Sequence, residues 1–440
     1  MKPKYFLALG LLVLGLGSCG ESFFEQYPSN NITEGNFYKT DDDFNQGVVA
    51  CYAKLKTQMS FHLTEIGYRG DENVLESMAV STQNRYDIDH FAETANNGIL
   101  NDIWNAWYNG IYRCNDVLDH MTGAKIANYD KYRGECLFLR SWWYFNLYRV
   151  FGVVPITRTV VTPAAAKLIP RCTEEEMYTL LTEDLAEAAR LLPPTPGPEK
   201  ARVANIAAYT LLAKVYLTFG KPAEAKTALE EAMKNTSYGL ESTTKKVFDV
   251  GNKMNREIIF ALYYNKTNDN GHGYWYSANT DVLADINNPT PTFKAIYDSE
   301  KDNRLPLISS YTKIKDNLFA MTKWYDTYDA TYTTQVGNDF PHLRYADVVL
   351  MYAEALAESG GSLGDALEWL NKTRTRAGLD ELTTDEVKSL AEFVRLGLAV
   401  DYFREMGYSL DSHNLIFPIP QNQIEIVNNP SILWQNPGFN

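Results

Sequence analysis

Long apolar runs are scarce in this sequence of 440 residues. The one that stands out covers residues 5–17, about 13 residues, whereas a helix that crosses a bilayer needs roughly 20. Lys2 and Lys4 precede the run and small residues end it, a pattern typical of a secretory signal rather than an anchor helix. No other run approaches the length of a span, so the sequence predicts an exported protein without a transmembrane helix.

Cysteine and histidine are also rare, with five and six copies. No CxxC and no HxxxH spacing occurs among them, and a recognisable zinc site needs such spacings. We therefore predict no metal site and no cofactor. The disulfide state of four cysteines stays open, because an exported protein permits pairing while the helical patterns around the first three favour buried thiols. These four are Cys51, Cys114, Cys136 and Cys172.

The fifth cysteine ends the motif LGSC at residues 16–19, which resembles a bacterial lipobox. The resemblance implies cleavage before Cys19 and acylation of Cys19, so that residues 1–18 are the predicted signal peptide. The alternative is an ordinary signal that contains a cysteine by chance. Several acyl chains would hold the protein firmly at a membrane, since one chain alone gives only marginal binding.

Basic residues are outnumbered by acidic ones, 41 against 55, which gives a formal net charge of -14. Such a chain does not suit the backbone of a nucleic acid or an anionic lipid surface. Nucleic acid is therefore excluded as an expected partner. The apolar content of 45% is enough for a large core.

Helical periodicity dominates much of the chain and predicts a mainly α fold. Acidic residues at 41–43 and the TEEE motif at 173–176 are typical helix starts. Two later helix pairs place small and large residues as tetratricopeptide units do, which predicts a helical-repeat scaffold over about 36–237 and 340–380. The predicted helices cover residues 44–58, 101–121, 129–151 and 173–192, and the two pairs cover 205–219 with 222–234 and 343–359 with 363–377.

Two stretches, about 60–100 and 238–340, are rich in Gly, Asn, Asp, Thr and Tyr and lack this periodicity. Residues 257–264 (EIIFALYY) read as a buried strand, and the rest predicts loops with short strands. Long ordered loops in a compact domain are uncommon unless they serve a function. We therefore predict that these stretches form an irregular, ligand-binding part.

Six stretches, in this order along the chain, resemble the SusD/RagB nutrient-binding lipoproteins of Bacteroidetes outer membranes. They read SFFEQYPSNNITEGNFYKTDDDF, ECLFLRSWWYFNLYRVFGVVPI, ARVANIAAYTLLAKVYLTFG, LRYADVVLMYAEALAESGG, ALEWLNKTRTRAGL and LIFPIPQNQIEIVNNPSILWQNPGF. One departure lies at residues 392–406, where the family's run rich in Glu and Arg is replaced by the shorter and more apolar EFVRLGLAVDYFREM. The packing near the C-terminus is therefore expected to differ from that of the family.

The resemblance implies one SusD-like domain over residues 19–440, an α-helical fold with four tetratricopeptide-like units. It also implies a non-catalytic role at the cell surface, where a lipid-anchored protein of the outer membrane captures an oligosaccharide, or less often a peptide. The expected partner is a SusC-like TonB-dependent transporter, on which the protein would sit as a lid.

A sugar offers C–H faces that stack on aromatic rings and hydroxyl groups that bond to polar side chains. Three segments, at 67–74, 268–281 and 322–332, combine such residues. The candidate ligand-binding residues are Tyr68, Arg69, Asp71 and Asn73 in the first segment, Asn270, Tyr274, Trp275 and Tyr276 in the second, and Trp324 and Tyr328 in the third. The alternative for each aromatic residue is packing in the core.

Two other classes of function are a glycoside hydrolase and a surface adhesin or assembly scaffold. A glycoside hydrolase needs two carboxylates roughly 5–10 Å apart, but Asp and Glu are so frequent here that no pair is singled out. A surface adhesin or assembly scaffold built on helical repeats would need a broad groove and no small-ligand pocket. We therefore predict that the protein is not an enzyme.

Overall fold

The computed structural model describes residues 37–67, 69, 73–74, 83–265, 277–279, 288–315, 318–326, 337–384 and 416–439. The predicted signal peptide, Cys19 and the departing segment 392–406 lie outside the described residues. The helices are α1 (Asp41–Gly67), α2 (Gln83–Asp89), α3 (Gly98–Met121), α4 (Tyr129–Phe151), α5 (Pro163–Ala166), α6 (Glu174–Leu191), α7 (Asn205–Thr218), α8 (Pro222–Met233), α9 (Thr244–Val247), α10 (Pro291–Ala295), α11 (Leu305–Ser309), α12 (Tyr345–Glu358), α13 (Leu363–Arg376) and α14 (Gln421–Val427). The strands are β1 (Asn73–Val74), β2 (Ile258–Leu262), β3 (Ser277–Asn279), β4 (Asn288–Pro289), β5 (Tyr311–Lys315), β6 (Leu318–Met321) and β7 (Phe340–Arg344).

The long helices form an array in which each helix packs on the next. In order, α1 packs on α3, α3 on α4, α4 on α6, α6 on α7, α7 on α8, α8 on α12, and α12 on α13. The predicted mainly α fold is confirmed, and so are the two helix pairs, which are α7 with α8 and α12 with α13. The strands form three small antiparallel sheets in the order β1–β4, β2–β7 and β3–β6–β5.

Helix α4 lies at the centre of the array, as its apolar pattern predicts. Most of its 23 residues are buried, and Trp143 and Tyr144 are fully enclosed. Gly110 of α3 lets this helix approach closely, because a Cβ there would lie 2.3 Å from Cε2 of Trp143. The helix ends at Phe151, and the next residue, Gly152, has a φ of 73°, which suits glycine. The close approach of α3 and α4 therefore depends on a residue without a side chain.

The predicted helix starts carry capping hydrogen bonds. At the start of α1, the backbone amide of Thr40 donates to Oδ2 of Asp43 (2.7 Å), and this bond helps to hold the pKa of Asp43 below its usual range. Thr173 and Glu176 form a capping box at the start of α6. Acidic residues near a helix start also suit the positive end of the helix dipole.

Two predicted boundaries differ from the structure. Helix α1 continues to Gly67, beyond the predicted end at residue 58, so the stretch at 60–100 is more helical than expected. Leu343 was predicted as the first residue of a helix, but it lies in β7 and pairs with Phe260 of β2. An apolar residue fits both patterns, and here the hydrogen bonds of the strand partner decide between them.

All four cysteines of the described region are buried free thiols. Cys51, Cys114 and Cys136 lie in the main core, as the helical patterns around them favour. Within the part of the chain that the structure describes, no helix has both the length and the apolar character to cross a membrane.

Candidate functional site

The β2–β7 ladder is connected in the chain to two of the predicted ligand-binding segments. Leu262 at the end of β2 pairs with Phe340 at the start of β7. The chain after β2 leads into segment 268–281, and segment 322–332 leads into β7. Antiparallel pairing therefore places the residue from which the chain leads into segment 268–281 beside the residue to which it returns after segment 322–332.

A polar cluster ties the two chain segments together at this end of the ladder. Lys253 Nζ donates hydrogen bonds to the carbonyl oxygen of Tyr264 (2.6 Å) and to Oδ1 of Asp339 (2.9 Å). The backbone amide of Tyr264 donates to the same carboxylate oxygen (3.0 Å). Burial raises the pKa of Asp339, and the two donors oppose that rise. The result is a charged pair held close to the protein surface.

Two neighbouring tyrosines at the end of β2 have opposite surroundings. The Tyr264 side chain is packed against the core at 6% exposure, whereas Tyr263 is 44% exposed. This difference follows from the alternation of side chains along an extended chain. Lys253 Nζ lies 4.4 Å from the centre of the Tyr263 ring. An exposed ring beside an ammonium group and a carboxylate can stack on an apolar ligand face and bond to its polar groups. We call these three residues, Tyr263, Lys253 and Asp339, the ladder-end site.

A buried carboxylate anchors the other end of this ladder to the helical array. Glu257 directly precedes β2 and accepts a hydrogen bond from Nη1 of Arg344 in β7 (2.9 Å). It also pairs with Arg376 at the end of α13. The ladder is thus fixed at its base by charges, which leaves the ladder-end site on a firm support.

The two other sheets bring further parts of the predicted segments together. Asn73 of β1 pairs with Pro289 of β4, so segment 67–74 meets the chain that follows segment 268–281. Ser277, the residue after Tyr276, pairs with Ala320 of β6. Since β6 leads directly to Trp324, backbone pairing makes the second and third predicted segments neighbours.

Two of the predicted ligand-binding residues have described side chains, and both take part in packing. Arg69 forms an ion pair with the buried Glu93, and its guanidinium lies 3.8 Å from the centre of the Phe417 ring. Trp324 is 5% exposed and packs edge-on against Phe248 at 5.4 Å. Ligand contact by these two residues therefore stays a prediction.

The side chains of the remaining candidates lie outside the described part of the structure. Asn73 is described only through its backbone. Tyr68, Asp71, Asn270, Tyr274, Trp275, Tyr276 and Tyr328 lie outside the described residues. Their roles in ligand binding stay predictions.

Sequence reasoning did not single out the residues of the ladder-end site. The pair of tyrosines at the end of a buried strand was a usable signal, because strand alternation turns one ring outward. Lys253 and Asp339 carry no comparable signal, since 86 residues separate them in the sequence. Only the pairing of β2 with β7 reveals their contact.

One short motif fits the spacing of a hydrolase nucleophile. Residues 360–364 read GGSLG, which matches GxSxG. In the structure this stretch is a turn between two helices, and the Ser362 hydroxyl caps α13 by accepting from the amide of Asp365 (3.3 Å). The nucleophile elbow of hydrolases joins a strand to a helix, so this serine has a capping role.

Comparisons with known proteins agree with this architecture. A family model described as "Starch-binding associating with outer membrane" (SusD-like) matches residues 27–217, and a model described as "SusD family" (SusD/RagB) matches residues 302–405. A SusD-like protein of Formosa agariphila is 24% identical, with 99% of this chain and all of the relative covered.

Solved structures show the same fold. A SusD-like protein of Bacteroides fragilis has a TM-score of 0.78 at 21% identity, covering 94% of this chain and 100% of the other. Surface glycan-binding protein A of Bacteroides thetaiotaomicron, solved in complex with laminarihexaose, has a TM-score of 0.72 at 21% identity, covering 90% of this chain and 99% of the other. Two successive matches to models of one family, on a shared helical fold, show that this chain belongs to the SusD/RagB family.

Proposed function

We propose that this protein binds an oligosaccharide at the outer-membrane surface, without cleaving it, and delivers it to a SusC-like TonB-dependent transporter. The ladder-end site is the observation that carries the proposal. It presents one exposed ring with a paired cation and carboxylate, at the point where two segments rich in Tyr, Trp, Asn and Asp meet the ladder.

The physical argument rests on what a sugar ring requires. Its C–H face is apolar and can cover the Tyr263 ring, and its hydroxyl groups both donate and accept hydrogen bonds. Lys253 offers a donor and Asp339 an acceptor at the same place. Because their positions are fixed by hydrogen bonds to the ladder, little side-chain freedom is lost on binding.

The relatives support the choice of ligand class. The Bacteroides thetaiotaomicron protein of the same fold was solved with laminarihexaose, and another protein of this fold is described as laminarin binding. The description of the first family model places its members in association with the outer membrane. A lipid on Cys19 would provide that attachment, and a transporter partner follows from the family alone.

Isothermal titration of the mature protein with laminarihexaose, maltohexaose and cellohexaose tests the proposal. We expect saturable binding of at least one of them, and Tyr263→Ala should weaken it about five- to thirtyfold, since loss of a ring–ligand stack is worth roughly 1–2 kcal/mol. Tyr263→Phe keeps the ring and should bind nearly as well as the wild type.

The exposed Leu350 of α12 provides a matched control, because Leu350→Ala also removes an exposed large apolar side chain. It should leave the affinity unchanged. Chromatography of each sugar after overnight incubation should recover it intact. Release of shorter sugars would contradict a non-catalytic role, and equal affinity of Tyr263→Ala in a folded protein would remove the ladder-end site. Delivery is tested by copurification with a coexpressed SusC-like transporter.

A further inference from the structure

A concave surface lies between α3, the segment at residues 155–169 and α14. It is a cleft of about 360 Å³, which is within the range of small-ligand pockets, roughly 300–1,000 Å³. No residue of the ladder-end site lines it. The described residues of the three predicted segments do not line it either, so the sequence pattern does not point to this place.

Two residues that line this cleft carry exposed large apolar side chains. They are Tyr112 of α3, which is 49% exposed, and Ile426 of α14, which is 50% exposed. Large apolar residues that are exposed on a protein surface and lie close together often mark a binding site. The two residues are distant in the chain, and the fold brings them to one cleft.

The wall formed by residues 155–160 is held in place by side chains of α3. The Tyr108 hydroxyl donates to the carbonyl oxygen of Pro155 (2.7 Å). Asn115 Nδ2 donates to the carbonyl oxygens of Thr157 (3.1 Å) and Thr159 (3.2 Å). Further along, the backbone amide of Val160 donates to the Asp119 carboxylate (2.7 Å). A wall fixed by the side chains of three residues of α3 keeps its shape before a ligand arrives.

A buried ion pair supports this arrangement from beneath. Nη1 of Arg140 donates to Oδ1 of Asn115 (2.9 Å) and to the carbonyl oxygen of Arg158 (2.8 Å). Its remaining donors bond to both oxygens of Asp184, at 2.8 and 2.9 Å. The amide of Asn115 is thereby fixed in one orientation, and so are the two carbonyl groups to which it donates.

The cleft also offers polar groups that have no partner in the described structure. The Tyr112 ring is 49% exposed, and neither its hydroxyl nor Nζ of Lys167 has a hydrogen-bond partner there. Among the described residues of the lining, Lys167 is the only charged one. Gln423 uses its amide nitrogen on Asn105 (3.0 Å) and keeps its amide oxygen as an acceptor. An exposed ring with neighbouring neutral and cationic donors suits a sugar better than an apolar ligand.

We propose that this cleft is a second oligosaccharide-binding site, with the Tyr112 ring stacked on a sugar face and with Lys167 and Gln423 bonded to hydroxyl groups. The proposal rests on the proposed function for the kind of ligand but not for the location. A second site on one molecule would let two parts of a long glycan bind together, and this raises the apparent affinity through effective concentration.

Titration of the wild type and four variants with the hexasaccharides named above tests the proposal. Tyr263→Ala disables the ladder-end site, so we expect one weaker site to remain in that variant. Adding Tyr112→Ala to it should lower the remaining affinity about tenfold or more. Lys167→Ala, added to Tyr263→Ala instead, should lower the remaining affinity about threefold or more. This second double variant keeps the test valid if Tyr112→Ala fails to fold. Arg113→Ala, which removes an exposed neighbour of Tyr112 on α3, is the matched control and should change nothing.

The two proposals fail in different ways. If the wild type binds none of the sugars, the proposed function itself is contradicted, and the second site falls with it. If the wild type binds a sugar but Tyr263→Ala retains no binding, or retains binding that Tyr112→Ala and Lys167→Ala leave unchanged, the second site is overturned and the ladder-end site stands. Tyr112-dependent capture of a protein partner without any effect on sugar binding would also overturn it.

Discussion

The helical array and the strand region differ in how each is held together. The array shares one large core, to which α1, α3, α4, α6, α7 and α8 all contribute. The strand region has two small clusters of its own, Val247 with Ile258 and Ala261, and Ile308 with Met321 and Trp324. Clusters of this size bury too little apolar surface to stabilise long irregular segments alone.

The strand region therefore depends on its attachment to the array. Phe260 of β2 packs edge-on against Phe138 of α4 at 5.2 Å, and Glu257 links the base of the ladder to Arg376 of α13. The comparison teaches that the helices supply stability and the strands supply position. A binding site on this ladder inherits its rigidity from the large core, into which β2 and β7 pack through Ile259, Phe260, Leu262 and Leu343.

The largest expected effect would break the array itself. Asp184→Asn removes the charge that pairs with Arg140 in the core, where both side chains are about 5% exposed or less. We expect a loss of about 3–5 kcal/mol in the free energy of unfolding, because a buried charge is left without its partner. Urea denaturation followed by circular dichroism measures it.

The neighbouring residue is a matched control for this variant. Glu183 forms an ion pair with Arg158 at 2.8 Å, but the two side chains are 59% and 44% exposed. Glu183→Gln should therefore cost less than about 1 kcal/mol. If both variants lost the same free energy of unfolding, the buried ion pair would contribute no more than the exposed one. That result would contradict the view that the core of the array is the main source of stability.

A smaller effect is expected where two helices of the array approach most closely. Gly110→Ala introduces a Cβ at 2.3 Å from Cε2 of Trp143, and overpacking of this kind costs about 1–3 kcal/mol. The double variant Gly110→Ala, Trp143→Phe should lose less stability than the sum of the two single variants, as thermal unfolding would show. Strict additivity would indicate that α3 and α4 can separate without cost.

The junction between the two regions should make the free energy of unfolding depend on pH. His342 of β7 packs against the rings of Trp142 and Phe260, with ring centres 4.8 and 5.5 Å away, and burial lowers its pKa to about 3 from an ordinary value of 6.5. Since the unfolded chain takes up the proton more readily, the stability linked to this group is complete above pH 6.5. It is lost as the pH falls towards 3, by at most about 1.4 kcal/mol per pH unit.

Replacing this histidine tests the junction. His342→Phe should flatten the decrease in unfolding free energy between pH 6.5 and 4.5, measured by urea denaturation at several pH values. His120→Phe is a suitable control, because the His120 side chain is about one-third exposed. If the wild type and His342→Phe share one pH profile, the junction does not hold a buried neutral imidazole.

Much of the helical array could be predicted from the sequence. The apolar pattern of α4 predicts both its bounds and its central place, and small residues such as Ala213 and Ala225 predict the nesting of α7 with α8. The strand region was less predictable, because the strands are short and their partners lie far apart in the chain. Leu343 shows the limit, since its apolar side chain fits a helix as well as the strand that it joins.

The sequence by itself determined the periodic helices and the family to which the chain belongs, and its export stays a prediction from the sequence. These features are local, because side-chain spacing and short motifs carry them. Only the tertiary structure decided which side chains share a surface: Tyr263 with Lys253 and Asp339 at the end of the ladder, and Tyr112 with Lys167 and Gln423 in the lining of one cleft. Both sites join residues that are distant in the chain, and contacts of that kind arise from packing and strand pairing, on which sequence spacing has no direct bearing.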